Sequence, residues 1–354
     1  MHSPWNDLIR YLIGGVVVFF ISACGPRPPV LDEDLQELTI EVPDHFRSII
    51  PPDDNQITPA KINLGKRLFF DPILSQDLSI SCADCHPAAS GFSDPNRYSL
   101  GVGGAVGSRQ AMPIMNLAYA KNLFWDGRVS SLEEQVIDPI VNPIEFATDT
   151  TTVLSRLRED PYYSVEIRRV FDTDEIRFVH LKKAIATFER SMVSYGSKYD
   201  QYLETQDTSI FTASERRGFD LYFTEEIGAK HAECFHCHGG FNLDEVQGLF
   251  RNNGLDEFYE DLGRANVTQN TKDIGKFRVP SLRNIEFTAP YMHDGRFETL
   301  EEVLDHYADG GAPNVNRDPL LVNIQLNEQD KQDIIAFLKT FSDQGFLTNP
   351  AFQE

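Results

Sequence analysis

Four stretches of the chain carry apolar side chains at helical spacing. In "TPAKINLGKRLFF", starting at Thr58, the threonine can cap, Pro59 suits the first helical position, and Ile62, Leu68 and Phe69 fall on one face. "TASERRGFDLYF", starting at Thr212, opens on a Thr212/Glu215 capping box and presents Phe219, Tyr222 and Phe223. "HLKKAIATFERSMVSY", residues 180–195, spaces Ile185, Phe188 and Met192 helically. "LNEQDKQDIIAFLKTF", residues 326–341, has Asn327 as its cap and Ile334, Ile335, Phe337, Leu338 and Phe341 on one side. The pattern predicts four helices whose stripes are plain core. Gly65 and Gly218 sit on the segments that start at Thr58 and Thr212, where a missing side chain lets another helix approach closely.

A second regularity groups these helices into two halves. "FWDGRVSSLEEQVIDP", residues 124–139, returns as "MHDGRFETLEEVLDHY", residues 292–307, differing at Trp125 against His293 and at Pro139 against Tyr307. A chain of 354 residues with 41% hydrophobic content can fill two cores. The prediction is two related, mainly helical domains that meet near residue 205. Ahead of them, Arg10 and the apolar run from Tyr11 to Ile21, too short to span a bilayer, end in "ISAC". This resembles a bacterial lipoprotein signal, residues 1–24, with Cys24 as the lipidated residue. A Pro-rich, acidic tether over 25–54 follows. The expected location is the periplasmic side of a bacterial membrane, held there only by the lipid. A formal charge of -22 argues against nucleic acid and favours partners that dock through a basic patch.

The cysteines narrow the chemistry. Beyond Cys24 there are four, in "CADCH" (Cys82, Cys85, His86) and "CFHCH" (Cys234, Cys237, His238). C-x-x-C-H is the attachment signature of haem c: the thiols form thioethers with the vinyl groups and the histidine ligates iron. A four-cysteine zinc site or two disulfides are the competing readings, and both leave the two histidines unexplained.

These two motifs, the "FWDGR", "PYMHDGR" and "LRNI" segments and the order of the halves resemble the bacterial di-haem cytochrome c peroxidase family, including its MauG branch, over residues from about 55 to 345. The resemblance implies two fused cytochrome c-like domains, each with one covalent haem: a peroxidatic domain over 55–205 and an electron-transfer domain over 206–346. It implies reduction of hydrogen peroxide to water with electrons from a small cytochrome c or other redox protein, passed through the second haem. The alternative within the family is a MauG-like oxidase that modifies a specific protein substrate; a non-catalytic dihaem electron carrier is a third reading.

The same resemblance carries roles onto individual residues. At the first haem His86 is proximal, and Pro139, which cannot ligate iron, stands at the repeat position of Tyr307. The loop "GVGGAVGSRQAMP", residues 101–113, contains no histidine, whereas many family members use one there to block the oxidised iron. An iron that needs no reductive activation is implied, as in the MauG branch. Glu145 matches the acid-base glutamate, Gln135 the distal glutamine, Phe124 a pocket wall, and Trp125 an indole between the haems. At the second haem His238 is proximal and Tyr307 is the expected sixth ligand, with Met292 as its rival and His293 and His306 further candidates. Gln110, Thr288 and Pro290 match a calcium site between the haems, Gln110 replacing the usual asparagine. Trp125 is the only tryptophan outside the signal segment, so any long exit route for electrons would use tyrosines.

Overall fold

Helices begin where the sequence supplies caps. In the computed structural model, which describes residues 32–224, 232–244 and 250–354, Thr58 Oγ1 accepts from the Lys61 amide at 3.2 Å and Pro59 opens α1 (Pro59–Phe70). Six further helices complete the first half: α2 (Cys82–Cys85), α3 (Leu132–Gln135), α4 (Ile137–Val141), α5 (Thr150–Glu159), α6 (Tyr163–Phe171) and α7 (Phe178–Ser191). α8 (Lys198–Thr205) leads to the second half. There follow α9 (Ala213–Phe223), α10 (Phe235–His238), α11 (Ala265–Thr268), α12 (Leu300–Ala308), α13 (Glu328–Leu338) and α14 (Gln344–Leu347). The only sheet among the described residues pairs β1 (Phe250–Arg251) antiparallel with β2 (Phe277–Arg278). The signal segment and Cys24 lie outside the described residues. Among the described residues no helix is long and apolar enough to cross a membrane.

Each half is built on one helix crossing. In the first, α1 packs on α7, and a Cβ at Gly65 would overlap the Ala184 carbonyl oxygen and lie 2.9 Å from Phe188 Cβ. In the second, α9 packs on α13, and a Cβ at Gly218 would overlap the Asp333 carbonyl oxygen and lie 2.7 Å from Phe337 Cβ. Close backbone approach is therefore what both glycines permit. Leu64, Leu68, Val153, Leu157, Ile167 and Ile185 fill the first core; Tyr222, Leu304, Ile334, Phe337 and Phe341 fill the second. Among the described residues, α5 and α6 have no counterpart in the second half.

Two helix ends differ from the periodicity. The 180–195 pattern yields a helix over 178–191, because Met192 (ψ 80°) leaves helical geometry. Asn116 takes over the chain there: its amide donates to the Met192 carbonyl at 2.8 Å, and its Oδ1 accepts from the Ser194 amide at 2.6 Å. Asn284 treats the end of the 326–341 segment in the same way. Its amide donates to the Phe341 carbonyl at 3.1 Å, and its Oδ1 accepts from the Asp343 amide at 2.7 Å.

The repeat is thus three-dimensional. Asn116 and Asn284 are both left-handed (φ 57° and 56°), as are Phe124 and Met292 (64° and 76°) and Gly127 and Gly295 (65° and 61°). The bridge Leu123–Val129 is matched by Tyr291–Phe297. The halves also exchange equivalent main-chain hydrogen bonds, Gln110 N to His293 O at 2.9 Å and Arg278 N to Trp125 O at 2.7 Å, with the same sequence offset relating both partners. Such reciprocity is the mark of an approximate two-fold relation.

Two segments tie the ends of the chain to this body. Residues 34–54, grouped by composition with the tether, lie against it: Asp34 pairs with Arg169 at 2.9 Å, and Phe46 is buried against Tyr119 and Phe241. The C-terminal Phe346, Leu347 and Phe352 pack onto Phe69, Phe92 and Phe188 of the first half.

Candidate haem sites

The first site starts at α2. Ser81 and Asp84 form a capping box, with the Ser81 amide donating to Asp84 Oδ2 at 2.7 Å, and the helix ends on His86. The His86 Nδ1 bonds the Phe92 carbonyl at 2.9 Å, which leaves Nε2 available as a ligand atom, and burial lowers the imidazole pKa. Cys82 and Cys85 form no disulfide. All three line a cavity of about 1140 Å³, above the range of about 300–1,000 Å³ usual for small-molecule pockets.

Phe124, Trp125, Gln135, Pro139 and Glu145 line the same cavity. Gln135 ends α3 and Pro139 lies in α4, so both positions are set by one short helical run. Glu145 follows it: Asn142 Nδ2 donates to Glu145 Oε1 at 2.6 Å, and the Val102 amide donates to the Glu145 carbonyl at 2.9 Å. The histidine-free loop is therefore what pins Glu145, and Gly101 is the point of contact, since a Cβ there would lie 2.7 Å from that carbonyl. Burial pushes the Glu145 carboxyl above the usual glutamate range despite the Asn142 hydrogen bond. The Arg128 guanidinium covers the Phe124 ring at 3.5 Å and fixes that wall.

The second site repeats the plan. His238 ends α10, and its Nδ1 bonds the Pro280 carbonyl at 3.1 Å; burial lowers its pKa to about 4. Cys234, Cys237, His238, Met292, His293 and Tyr307 line one cavity with apolar Leu300, Leu304, Ile334 and Leu338. Asn253 stands beside both sixth-ligand candidates, donating to Met292 Sδ at 3.2 Å and hydrogen-bonding Tyr307, whose phenol burial pushes up to about 12. His306 is turned to the Asn253 carbonyl at 2.8 Å, and His293 stacks on Phe277 at 3.7 Å. His306 is therefore engaged away from the cavity, while Tyr307, Met292 and His293 line it.

Trp125 lies on the walls of both cavities, its Nε1 donating to the Gln110 carbonyl at 2.8 Å and its ring 6.4 Å from that of His293. Gln110, Thr288 and Pro290 share the wall of the second cavity. The Gln110 carboxamide nitrogen donates to Ser93 Oγ at 2.7 Å and to Asp94 O at 3.1 Å, which leaves Oε1 as the acceptor atom of the side chain.

The profile described as di-haem cytochrome c peroxidase matches residues 59–208. The methylamine utilization protein MauG of Methylorubrum extorquens is 36% identical over 296 residues, 83% of this chain and 81% of that one. This chain belongs to the di-haem cytochrome c peroxidase family. The cytochrome c551 peroxidase of Nitrosomonas europaea is likewise 36% identical, over 79% of each chain. Among solved structures, a MauG-like protein associated with microbial copper homeostasis superposes with a TM-score of 0.82 at 35% identity, covering 89% of this chain and 98% of that one. The protein is a di-haem c-type oxidoreductase of the peroxidase class, mainly helical, with two cytochrome c-like domains.

Two haem c groups suit what this di-haem peroxidase presents. Each site offers two cysteine side chains, an imidazole with Nδ1 fixed by a carbonyl, and a cavity against them. Among the described residues no cluster of three or more His, Cys, Asp or Glu could hold a metal ion, so the four cysteines do not assemble into a zinc site.

Several residues at the seam were not singled out by sequence. Arg109 pairs with Asp126 at 2.7 Å and, in bidentate fashion, with Asp261 at 2.6 and 2.8 Å, joining the halves beside Trp125. Burial pushes Asp261 up, but Arg109 outweighs it and holds the carboxyl below its usual range. Arg278 lines both cavities. The available signal was the repeat offset itself, which pairs Gln110 with Arg278 and Trp125 with His293.

Proposed function

We propose that peroxide is reduced in the first cavity and that electrons arrive from the second through Trp125. The observation that carries this reading is that Glu145 and Gln135 line the same cavity as His86 while Pro139, with no donor atom, stands where the second half has Tyr307. Haem c held by Cys82, Cys85 and His86 would supply the redox-active iron for this chemistry. Glu145 would take a proton from one peroxide oxygen and return it to the other, so that the O–O bond breaks with release of one water. Two electrons from the donor and two further protons convert the remaining oxygen to a second water. Gln135 orients the bound peroxide by hydrogen bonding. Phe124, pinned under Arg128, limits the space beside it. Trp125 passes electrons between the sites, and a small cytochrome c with a basic docking face refills them.

A MauG-like second reading, in which a specific protein substrate donates the electrons and is modified, draws its support from Tyr307. An anionic phenolate favours oxidised iron, whereas Met292 ligation would favour ferrous iron and donation by a cytochrome. Around this centre we infer a lipid-anchored periplasmic protein with signal 1–24, Cys24 lipidated, a peroxidatic domain over 55–205 and an electron-transfer domain over 206–346. Calcium between the haems would use Gln110 Oε1 and the carbonyls of Thr288 and Pro290.

Steady-state peroxide consumption with reduced small cytochrome c tests the proposal. Glu145→Gln should lower kcat/KM by about 10²–10⁴-fold while leaving the haem spectrum intact. Turnover retained in Glu145→Gln would remove Glu145 from the chemistry, and peroxide bleaching without cytochrome oxidation would transfer the case to the protein-modifying reading.

A further inference from the structure

Glu189 is the one buried glutamate among the described residues. It is 5% exposed, and its Oε2 meets no hydrogen-bond donor there. An ionised carboxyl oxygen left so is costly. The charged groups nearby are engaged with one another or with the backbone. Arg190, next on the same helix, pairs with Glu133 of α3 at 2.9 Å, and Asn55 donates to the same Glu133 oxygen at 2.7 Å. On α1, which crosses α7, Lys61 donates to the Gln56 carbonyl at 2.7 Å, Lys66 donates to the Pro350 carbonyl at 2.9 Å, and the Arg67 guanidinium covers the Tyr162 ring. On α2, Cys82 feels the field of Glu189. Burial pushes the Glu189 carboxyl up to about 8, against the field of Arg190.

The fold does not require an acid at this place. The two helix crossings set a register between the halves, because Ala184 and Phe188 meet Gly65 as Asp333 and Phe337 meet Gly218. In that register Ile185 matches Ile334, and Glu189 matches the buried Leu338. Ile185 and Glu189 line the first haem cavity, and Ile334 and Leu338 line the second. One half therefore has a carboxyl where the other has a leucine, at equivalent points of the two cavity walls.

We propose that Glu189 is the redox-linked proton site of the first haem: it binds one proton from water as that haem gains one electron from the donor protein, and releases it on oxidation. A ferric centre adds positive charge to the cavity and favours the carboxylate; one added electron removes that charge and favours the acid. The net charge of the buried site is then the same before and after electron uptake, which matters most where water does not screen it. Leu338 gives the second haem no such group at the matching point. This rests on the two-haem reading but not on peroxide chemistry.

The test uses the holoprotein without peroxide. Haem is first counted as the pyridine haemochrome, and a wild-type count other than two contradicts the two-haem reading itself. Midpoint potentials of wild type, Glu189→Gln and Glu189→Leu, the last copying the second half, are then read by spectroelectrochemical titration at a series of pH values around neutrality. In wild type one haem potential should fall as pH rises, by up to a tenfold change in the one-electron equilibrium per pH unit, about 59 mV. Both variants should flatten that slope. A wild-type potential indifferent to pH, or a slope undiminished in either variant, would overturn the assignment. Should the variants fail to load haem, reduced-minus-oxidised infrared spectra decide, recorded on 13C-glutamate-labelled Glu145→Gln protein so that the other cavity glutamate is silent. A protonated glutamate carbonyl band that grows on reduction supports the assignment, and its absence overturns it.

Discussion

Arg278 and Trp125 are joined across the two halves by a main-chain hydrogen bond of 2.7 Å, while the Trp125 indole donates to Gln110 of its own half at 2.8 Å. Trp125 is therefore held by its backbone from one half and by its indole from the other, on the wall shared by the two cavities. Trp125→Phe keeps the main-chain bond and loses only the indole one, so stability should fall by about 0.5–1.5 kcal/mol. Stopped-flow reduction of the first haem by way of the second should slow well beyond what that small loss explains. An unchanged rate would make Trp125 a packing residue.

Glu145 sets an expectation for pH. Burial raises its folded pKa above the unfolded value of about 4.3, so its contribution to stability is fully present below that value and is lost as pH rises through the folded pKa. Activity needs the opposite form, since only the carboxylate accepts a proton. The acid limb of kcat/KM should therefore lie above the ordinary glutamate range and vanish in Glu145→Gln. The same variant should gain stability relative to wild type as pH is raised from 4 to 8, read from denaturant midpoints.

The glycine crossings give a matched pair of variants. Gly65→Ala and Gly218→Ala each force a Cβ into a backbone carbonyl, at Ala184 and at Asp333. Each should cost about 1–3 kcal/mol, as overpacking does, and lower the melting temperature of the holoprotein. An alanine tolerated at either position would mean that the helices there can separate without loss.

Much of this architecture was readable in the sequence because it rests on local rules. The caps at Thr58, Thr212 and Asn327 form, the two glycines mark the crossings, and each C-x-x-C-H sits on its own short helix against a cavity. Helix ends were less legible: Met192 is apolar and in phase, yet Asn116, far away in sequence, draws the chain out of the helix. The packing of Phe46 and of the C-terminal Phe352 was hidden for the same reason, since isolated aromatics carry no period. At the site, the family resemblance singles out Glu145 and the repeat offset singles out Pro139, but the seam of Arg109, Asp261 and Arg278 appears only when the halves are brought together.

The most buried ion pair sets the acid stability. Arg283 and Asp200 meet at 2.8 and 2.9 Å with side chains 0% and 2% exposed, and His45 adds a contact to Asp200 at 3.1 Å. Burial pushes the Asp200 carboxyl up, but Arg283 and Ser197 outweigh it and hold it below the usual range. The stabilisation is present above the unfolded pKa of about 3.9 and is lost as pH falls through the folded one. Asp200→Asn leaves the guanidinium uncompensated and should cost about 3–5 kcal/mol at neutral pH, with the difference from wild type shrinking in acid. Equal denaturant midpoints at neutral pH would contradict this.

The asymmetry between Pro139 and Tyr307 is tested most directly by electron paramagnetic resonance of the fully oxidised protein before any reductant is added. The expected spectrum contains one high-spin ferric haem, open opposite His86, and one low-spin haem, and peroxide should abolish the high-spin signal at once. Two low-spin signals, with a side chain of this chain bound opposite His86, would contradict the account.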